Sequence, residues 1–180
     1  MGVAAGATLG GTGTIGGAVN VTGVLSPGAS IETLGTGTLS FADGSTLVNE
    51  LDSSVSTSVG SDLLKVNGNL NLVGTVGISL SDLAVTDAAF NLNDVFSLIN
   101  YTGTWNGGFF TLSGNELADE EVFTFGLNSW KISYDDLTGG DNYAGEFASG
   151  SSFVNLTVVP EPRAALLGGL GLLLLLRRRR

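Results

Sequence analysis

Leu63-Leu64-Lys65-Val66-Asn67-Gly68-Asn69-Leu70-Asn71-Leu72-Val73-Gly74-Thr75-Val76-Gly77-Ile78-Ser79-Leu80 mostly alternates apolar and polar side chains between glycine breaks. A period of two puts one face of a strand on a core and the other in water. Asn67-Gly68 and Gly74 supply the turn chemistry that separates the strands. Outward from this stretch, Ala18–Thr22, Thr38–Phe41 and Ser45–Val48 mostly alternate in the same way, with breaks at Gly23, Pro27-Gly28, Gly35 and Asp43-Gly44. Asn20-Val21-Thr22-Gly23, Lys65-Val66-Asn67-Gly68 and Asn71-Leu72-Val73-Gly74 share one form: polar, apolar, any residue, glycine. Repetition at coil periods of about 20–50 residues marks stacked, solenoid-like architectures. Residues 1–90 therefore read as glycine-rich β-solenoid repeats with no long helical pattern.

Residues 91–157 differ in composition. They hold both Trp, all three Tyr and most of the Phe. Large aromatics can close an exposed core. Phe96–Tyr101, Phe109–Leu112, Val122–Phe125, Trp130–Tyr134 and Phe153–Val158 are the strand candidates, and Leu117–Val122 is the one plausible helical turn. The expected fold class is all-β: a parallel β-solenoid (β-helix), an aromatic-rich, antiparallel-leaning β cap over 91–157, and one C-terminal hydrophobic helix.

The composition narrows the chemistry. The chain has 180 residues, of which 28 are glycine, with 43% hydrophobic and only 13% charged. It is too apolar to read as disordered. Cysteine and histidine are both absent. That removes thiolate nucleophiles, Cys metal sites, the commonest general base and the commonest transition-metal ligand. Residues 1–159 hold 2 bases, Lys65 and Lys131, against 16 acids, a charge of −14. Such a body disfavours nucleic acid, whose phosphates need clustered Lys and Arg. No cofactor is expected.

The C-terminus is organised differently. Val158-Val159-Pro160-Glu161-Pro162-Arg163 precedes an uncharged run, Ala164–Leu176, containing 8 Leu (Leu166, Leu167, Leu170, Leu172, Leu173, Leu174, Leu175 and Leu176). Arg177, Arg178, Arg179 and Arg180 end the chain. Thirteen helical residues reach roughly 20 Å at 1.5 Å each, short of the ~20 residues that span hydrocarbon comfortably. Four arginines cannot enter a core, but they suit a cytoplasmic flank, and lipid thins to meet a short segment. The run reads as a membrane span with a basic stop.

Pro160-Glu161-Pro162, the Gly/Leu-rich span and the terminal Arg cluster together resemble the PEP-CTERM sorting signal. The resemblance covers 158–180. It implies a bacterial, exported protein, transiently anchored in the inner membrane and processed by an exosortase, a transpeptidase-like membrane protease. Leu9-Gly10-Gly11-Thr12-Gly13-Thr14-Ile15-Gly16-Gly17, followed by Val24-Leu25-Ser26-Pro27-Gly28 and Gly44-Ser45-Thr46-Leu47, is similar to the autotransporter-associated β-strand repeat. That family stacks into a right-handed parallel β-helix. Asp94–Tyr101 and Trp130–Tyr134 resemble the C-terminal part of proteins that join such repeats to a PEP-CTERM tail. Met1–Thr8 has neither a basic n-region nor an apolar h-region, so the reading expects an export signal upstream of this start.

Several motifs were weighed for chemistry. Gly11-Thr12-Gly13-Thr14-Ile15-Gly16 matches a dinucleotide fingerprint, but that fingerprint needs a strand before it and a helix after it. A turn is expected here instead. The acids gather in three groups: Glu50 with Asp52, Asp119-Glu120-Glu121, and Asp135-Asp136 with Asp141. Paired carboxylates can hydrolyse glycosides. Oxygen donors at Asp135, Asp136 and Asp141 suit calcium, although the stretch fits neither an EF-hand nor a nonapeptide calcium repeat. Solvated loops are the expected use of all three groups, with no catalytic residue. The sequons at Asn20, Asn100 and Asn155 are expected to be silent. The reading is a non-enzymatic envelope or extracellular-matrix structural protein, with exopolysaccharide as a possible partner. A carbohydrate-binding or adhesin-like module is the alternative, and a polysaccharide-active β-helix enzyme the second alternative.

Overall fold

The structure is a computed structural model that describes residues 1–54, 60–86, 88–142 and 150–161. The chain visits three sheets in rotation. Its first circuit is β1 (Gly2–Val3), β2 (Thr8–Gly11) and β3 (Gly13–Ile15); its second is β4 (Val19–Val21), β5 (Val24–Pro27) and β6 (Thr33–Thr36). The third is β7 (Leu39–Phe41), β8 (Thr46–Leu51) and β9 (Leu63–Val66), and the fourth is β10 (Leu70–Leu72), β11 (Val76–Asp82) and β12 (Val95–Tyr101). Each strand pairs in parallel with its counterpart in the next circuit.

This register stacks like on like. Leu9, Leu25, Leu47 and Ile78 stand opposite one another in the second sheet. Val3, Val21, Phe41 and Leu72 do so in the first, and Leu34, Leu64 and Ile99 in the third. Strands lie about 4.8 Å apart, so each inward side chain touches its equivalents above and below. The alternation read from Leu63–Leu80 is this inward and outward sorting. One core cluster runs from Val3 to Val158.

After β12 the geometry changes. β13 (Phe110–Leu112) joins β11 in parallel and then folds back on β14 (Asn115–Leu117). β15 (Val122–Phe125), β16 (Asn128–Asp136) and β17 (Ser152–Val159) extend the third sheet, with β17 antiparallel to both β12 and β16. The first sheet has four strands, the second six and the third seven.

The expected single parallel β-solenoid with a C-terminal helix does not hold. The molecule is all-β, but it has three sheets of mixed parallel and antiparallel strands, and the described residues contain no helix. Two tight reversals make two of the antiparallel pairs, β13–β14 and β15–β16; β17 makes the others by returning between β16 and β12. Leu112 pairs with Asn115, leaving Ser113 (φ 52°) and Gly114 (φ 83°) as a two-residue loop. Positive φ at both positions is the type I′ pattern, which sends a strand straight back on itself. Gly126 (φ 58°) begins a second two-residue loop, between β15 and β16, in which it alone has positive φ. Leu117–Val122, the one stretch where a helical turn is plausible, is the end of β14, a turn and the start of β15, so acids 119–121 lie in a loop as expected of them. The hydrophobic span over 164–176 lies outside the described residues, as do Pro162 and Arg177–Arg180. Among the described residues no helix is long and apolar enough to cross a membrane.

Candidate functional site

Three of the acids singled out from the sequence, Asp52, Asp119 and Asp141, hold backbone N–H groups in place. Asp52 Oδ1 accepts from the Ser54 N–H at 2.9 Å. Asp119 Oδ1 accepts from the Tyr134 N–H at 3.1 Å, and Glu120 pairs with Lys131 across the start of β16. Glu121 lines a surface groove beside Glu116 and Phe123. Asp136 Oδ2 takes the Ser133 hydroxyl and the Asn155 amide, and Asp141 Oδ2 takes the Val95 N–H at 3.0 Å. Asp135 is exposed. Among the described residues no group of three or more acids is placed to hold a metal ion, so Asp135, Asp136 and Asp141 are not gathered into a calcium cage.

Those last contacts belong to a buried polar network at the mouth of the third sheet. Both β12 and β16 slip register opposite β17, next to Asn155. Bulges of this kind leave unpaired backbone groups. Side chains supply the missing partners. The Ser97 hydroxyl donates to Asn155 Oδ1 at 2.8 Å, and the Asn155 amide donates to the Thr138 carbonyl at 3.0 Å. Asn142 accepts from the Ser97 N–H at 2.7 Å and donates to the Ser97 carbonyl at 2.9 Å. The Asp135–Asn142 stretch is therefore pinned to the sheet by its own side chains. Asn155 and Asn100, two of the three sequon asparagines, are buried.

The acid with the strongest environment escaped the sequence reading. Asp62, at the entrance to β9, is fully buried. Its Oδ1 accepts from the Glu32 N–H at 2.9 Å and its Oδ2 from the Glu50 N–H at 3.0 Å. It thus ties the second circuit to the third. Burial pushes its carboxyl up to about 6; the two N–H bonds pull the other way, and the Glu50 and Glu32 charges add to the rise. Asp82 shows the opposite balance. Burial raises it, but bonds from the Ser53 hydroxyl, the Ser53 N–H and the Ala84 N–H outweigh burial and hold it below the usual value. No local sequence signal marks Asp62, because its partner Glu32 is set by a register of 30 residues.

The dinucleotide-like glycines form the corner between β2 and β3. Gly11 and Gly28 exchange backbone hydrogen bonds across it, and the next element is strand β4 rather than a helix. The aromatics expected to close the core are mostly inside: Phe96, Phe110, Trp130 and Tyr134 are buried, while Trp105, Phe109, Phe123 and Phe125 are partly so.

One of the surface grooves is a trough of about 320 Å³ on the third sheet, lined by Thr14, Thr33, Gly35, Lys65, Asn67 and Asn100 among others. Thr14, Gly35, Lys65 and Asn100 occupy one register row across β3, β6, β9 and β12. Gly35 forms the floor. A Cβ there would come within 2.8 Å of the Thr14 hydroxyl. The row places the Thr14 hydroxyl and the Lys65 ammonium on the trough, while Asn100 is buried and its amide donates to the Ser152 carbonyl at 3.2 Å. Pro160 and Glu161 are exposed immediately after β17, whose residues are largely buried. In comparisons with known proteins, no family model and no curated protein matches the chain.

Proposed function

We propose that this chain is an exported bacterial structural protein of the envelope or extracellular matrix, without catalysis of its own, sorted by its C-terminal signal. The observation that carries the reading is the exit of the chain. β17 sits inside the seven-stranded sheet between β16 and β12, and Pro160 and Glu161 follow it directly at the surface. Proline fixes φ and biases the preceding residue to extended geometry. Pro160 and Pro162 therefore hold Glu161 out of helix and sheet, as an accessible peptide next to a firmly held strand. A processing enzyme needs such a peptide, and the PEP-CTERM resemblance supplies exosortase as that enzyme. The Leu-rich span and Arg177–Arg180 then serve as the temporary membrane stop. The carboxylates tied to backbone N–H groups support the non-catalytic part of the reading.

The test is the intact mass of the protein released from a host that contains exosortase, after an export signal is supplied. The expected product lacks the Leu-rich span and the Arg tail. A product still ending at Arg180, or processing unchanged when Pro160-Glu161-Pro162 is replaced by alanines, contradicts the sorting signal.

The trough on the third sheet favours a second reading, a carbohydrate-binding surface module. Its Thr14 hydroxyl and Lys65 ammonium suit an acidic exopolysaccharide. On a glycan array, binding to uronate-containing chains that is weakened at least tenfold by Lys65→Gln together with Thr14→Val supports this reading. Binding that the double variant leaves intact, or none at all, removes it.

A further inference from the structure

We propose that the side of the molecule where the chain leaves β17 rests on a zwitterionic lipid surface, with Leu92 and Leu127 as its apolar contacts. The inference rests on the reading of Ala164–Leu176 as a membrane stop, and adds to it which face of the body meets the lipid. The strand register fixes the place. β17 runs antiparallel to both its neighbours, so its last residues lie level with the chain just before β12 on one side and just before β16 on the other. Val95 pairs with Thr157, and Ser129 with Val159. Counting outward in these registers places Leu92 level with Pro160 and Leu127 level with Glu161. Hydrogen bonds hold both flanks at this exit. The Asn93 N–H donates to the Val158 carbonyl at 2.9 Å. The Asn128 side chain accepts from the Phe90 N–H at 2.9 Å and donates to the Phe90 carbonyl at 3.1 Å.

Both leucines sit on turns that hold them outward. Asn91–Asp94 is closed by the Asp94 N–H donating to the Asn91 carbonyl at 3.1 Å and by the Asn91 N–H donating to Asp94 Oδ2 at 2.8 Å. Leu92 is the second residue of that turn and is 54% exposed. Leu127 is the second residue of the two-residue loop between β15 and β16 and is 57% exposed. Turn positions usually go to Gly, Pro, Asn, Asp and Ser. Single exposed leucines are ordinary on a protein surface; these two differ because they bracket the strand that leads to the apolar run. Four residues separate Val159 from Ala164, so a fully extended chain parts them by roughly 18 Å at most. With the run in the bilayer, the body cannot stand clear of the lipid, and the exit of β17 is the side brought against it. Apolar side chains there bury area in the headgroup boundary. Asp94 and Glu161 stand at the same exit, and Asp141 bonds Val95 beside it. Such acids suit zwitterionic headgroups, since an anionic surface would repel them.

The chain contains no cysteine, so a single introduced cysteine takes a nitroxide label at a known place. The experiment reconstitutes the full chain in phosphatidylcholine vesicles. Electron paramagnetic resonance then compares the collisions of each label with oxygen, which concentrates in lipid, and with a nickel complex, which stays in water. Labels go on Leu92→Cys and Leu127→Cys, with Thr102→Cys as the reference. Thr102 is exposed directly after β12, at the opposite end of that strand and roughly 20 Å from its start by the rise of a strand. All three side chains are exposed, so cysteine leaves the core intact, and an unchanged strand spectrum by circular dichroism checks this. A fourth label, on Leu170→Cys, reports the membrane stop itself. The expected result is an oxygen-to-nickel ratio severalfold higher at positions 92 and 127 than at position 102. Equal ratios at all three, with the label at position 170 in lipid, overturn this inference and leave the membrane stop standing. A label at position 170 that stays in water overturns the membrane stop, and this inference with it.

Discussion

Trp130→Ala is expected to destabilise the protein by about 3–5 kcal/mol, the usual range for deleting a fully buried large aromatic. Trp130 lies on β16 with 1% of its surface exposed. Its ring meets Phe90 at 5.5 Å and Phe96 at 5.8 Å between centroids, and those two meet each other at 4.9 Å, all edge-on. Edge-to-face pairs add about 0.5–1.5 kcal/mol beyond the area they bury. The indole N–H donates to the Phe125 carbonyl at 3.0 Å, across the β15–β16 hairpin. Truncation removes the packing of three elements and one hydrogen bond together. Domains hold only about 5–15 kcal/mol in total, so the variant sits near its unfolding threshold. Equilibrium denaturation in urea checks this; a loss below about 1 kcal/mol would show that the aromatic cluster is not what closes this part of the core.

The second aromatic cluster works through its hydroxyl. Trp105 stacks on Tyr134 at 5.0 Å. The Tyr134 hydroxyl accepts from the Phe110 N–H at 2.9 Å and donates to the Leu117 carbonyl at 2.8 Å. It therefore bolts the β13–β14 hairpin, which belongs to the second sheet, onto β16 of the third. Burial above all pushes its ionisation far above the usual tyrosine range.

Particular residues show what could be read in advance. Leu63–Val66 was expected as a strand and is β9 to the residue, because its alternation is bounded by chemistry that turns the chain. β5 and β6 went unread for a physical reason. The break at Pro27-Gly28 does end β5, but Gly35, which also reads as a break, lies inside β6. Gly35 is there because the Thr14 side chain of the next strand leaves no room for a Cβ, and that requirement comes from a neighbour outside the local sequence. β1, β2 and β3 are built of small residues with too little apolar contrast to show a period. The all-β class and the antiparallel lean of 91–157 are legible; the two hairpin loops at Ser113-Gly114 and Gly126-Leu127 are not among the turns read from the sequence. The acids were legible as a population but not as contacts. Asp62 meets Glu32 and Glu50 only through the stacking of circuits.

Asp62 also gives the second large effect. Its folded-state carboxyl, at about 6, lies above the ordinary value of 3.8. Between these two values the native state binds more protons than the unfolded chain, so stability falls as pH rises through that window. Below 3.8 both states are protonated and above about 6 both are ionised, and the contribution is flat in each region. Within the window the slope approaches 1.4 kcal/mol per pH unit, roughly the free energy of one pKa unit. Asp62→Asn keeps the shape and removes the titration.

The central claim is that the buried carboxyl of Asp62 joins the second circuit of strands to the third. The most direct test is urea denaturation of the parent and of Asp62→Asn at a series of pH values spanning 3.8 to 6 and beyond. The difference in unfolding free energy, parent minus variant, is expected to fall steadily through the window and level off above it. A difference that is constant across the series would show that Asp62 is not buried between the circuits. A difference that rises with pH would show a carboxylate stabilised in its charged form, contradicting the desolvated strut between Glu32 and Glu50.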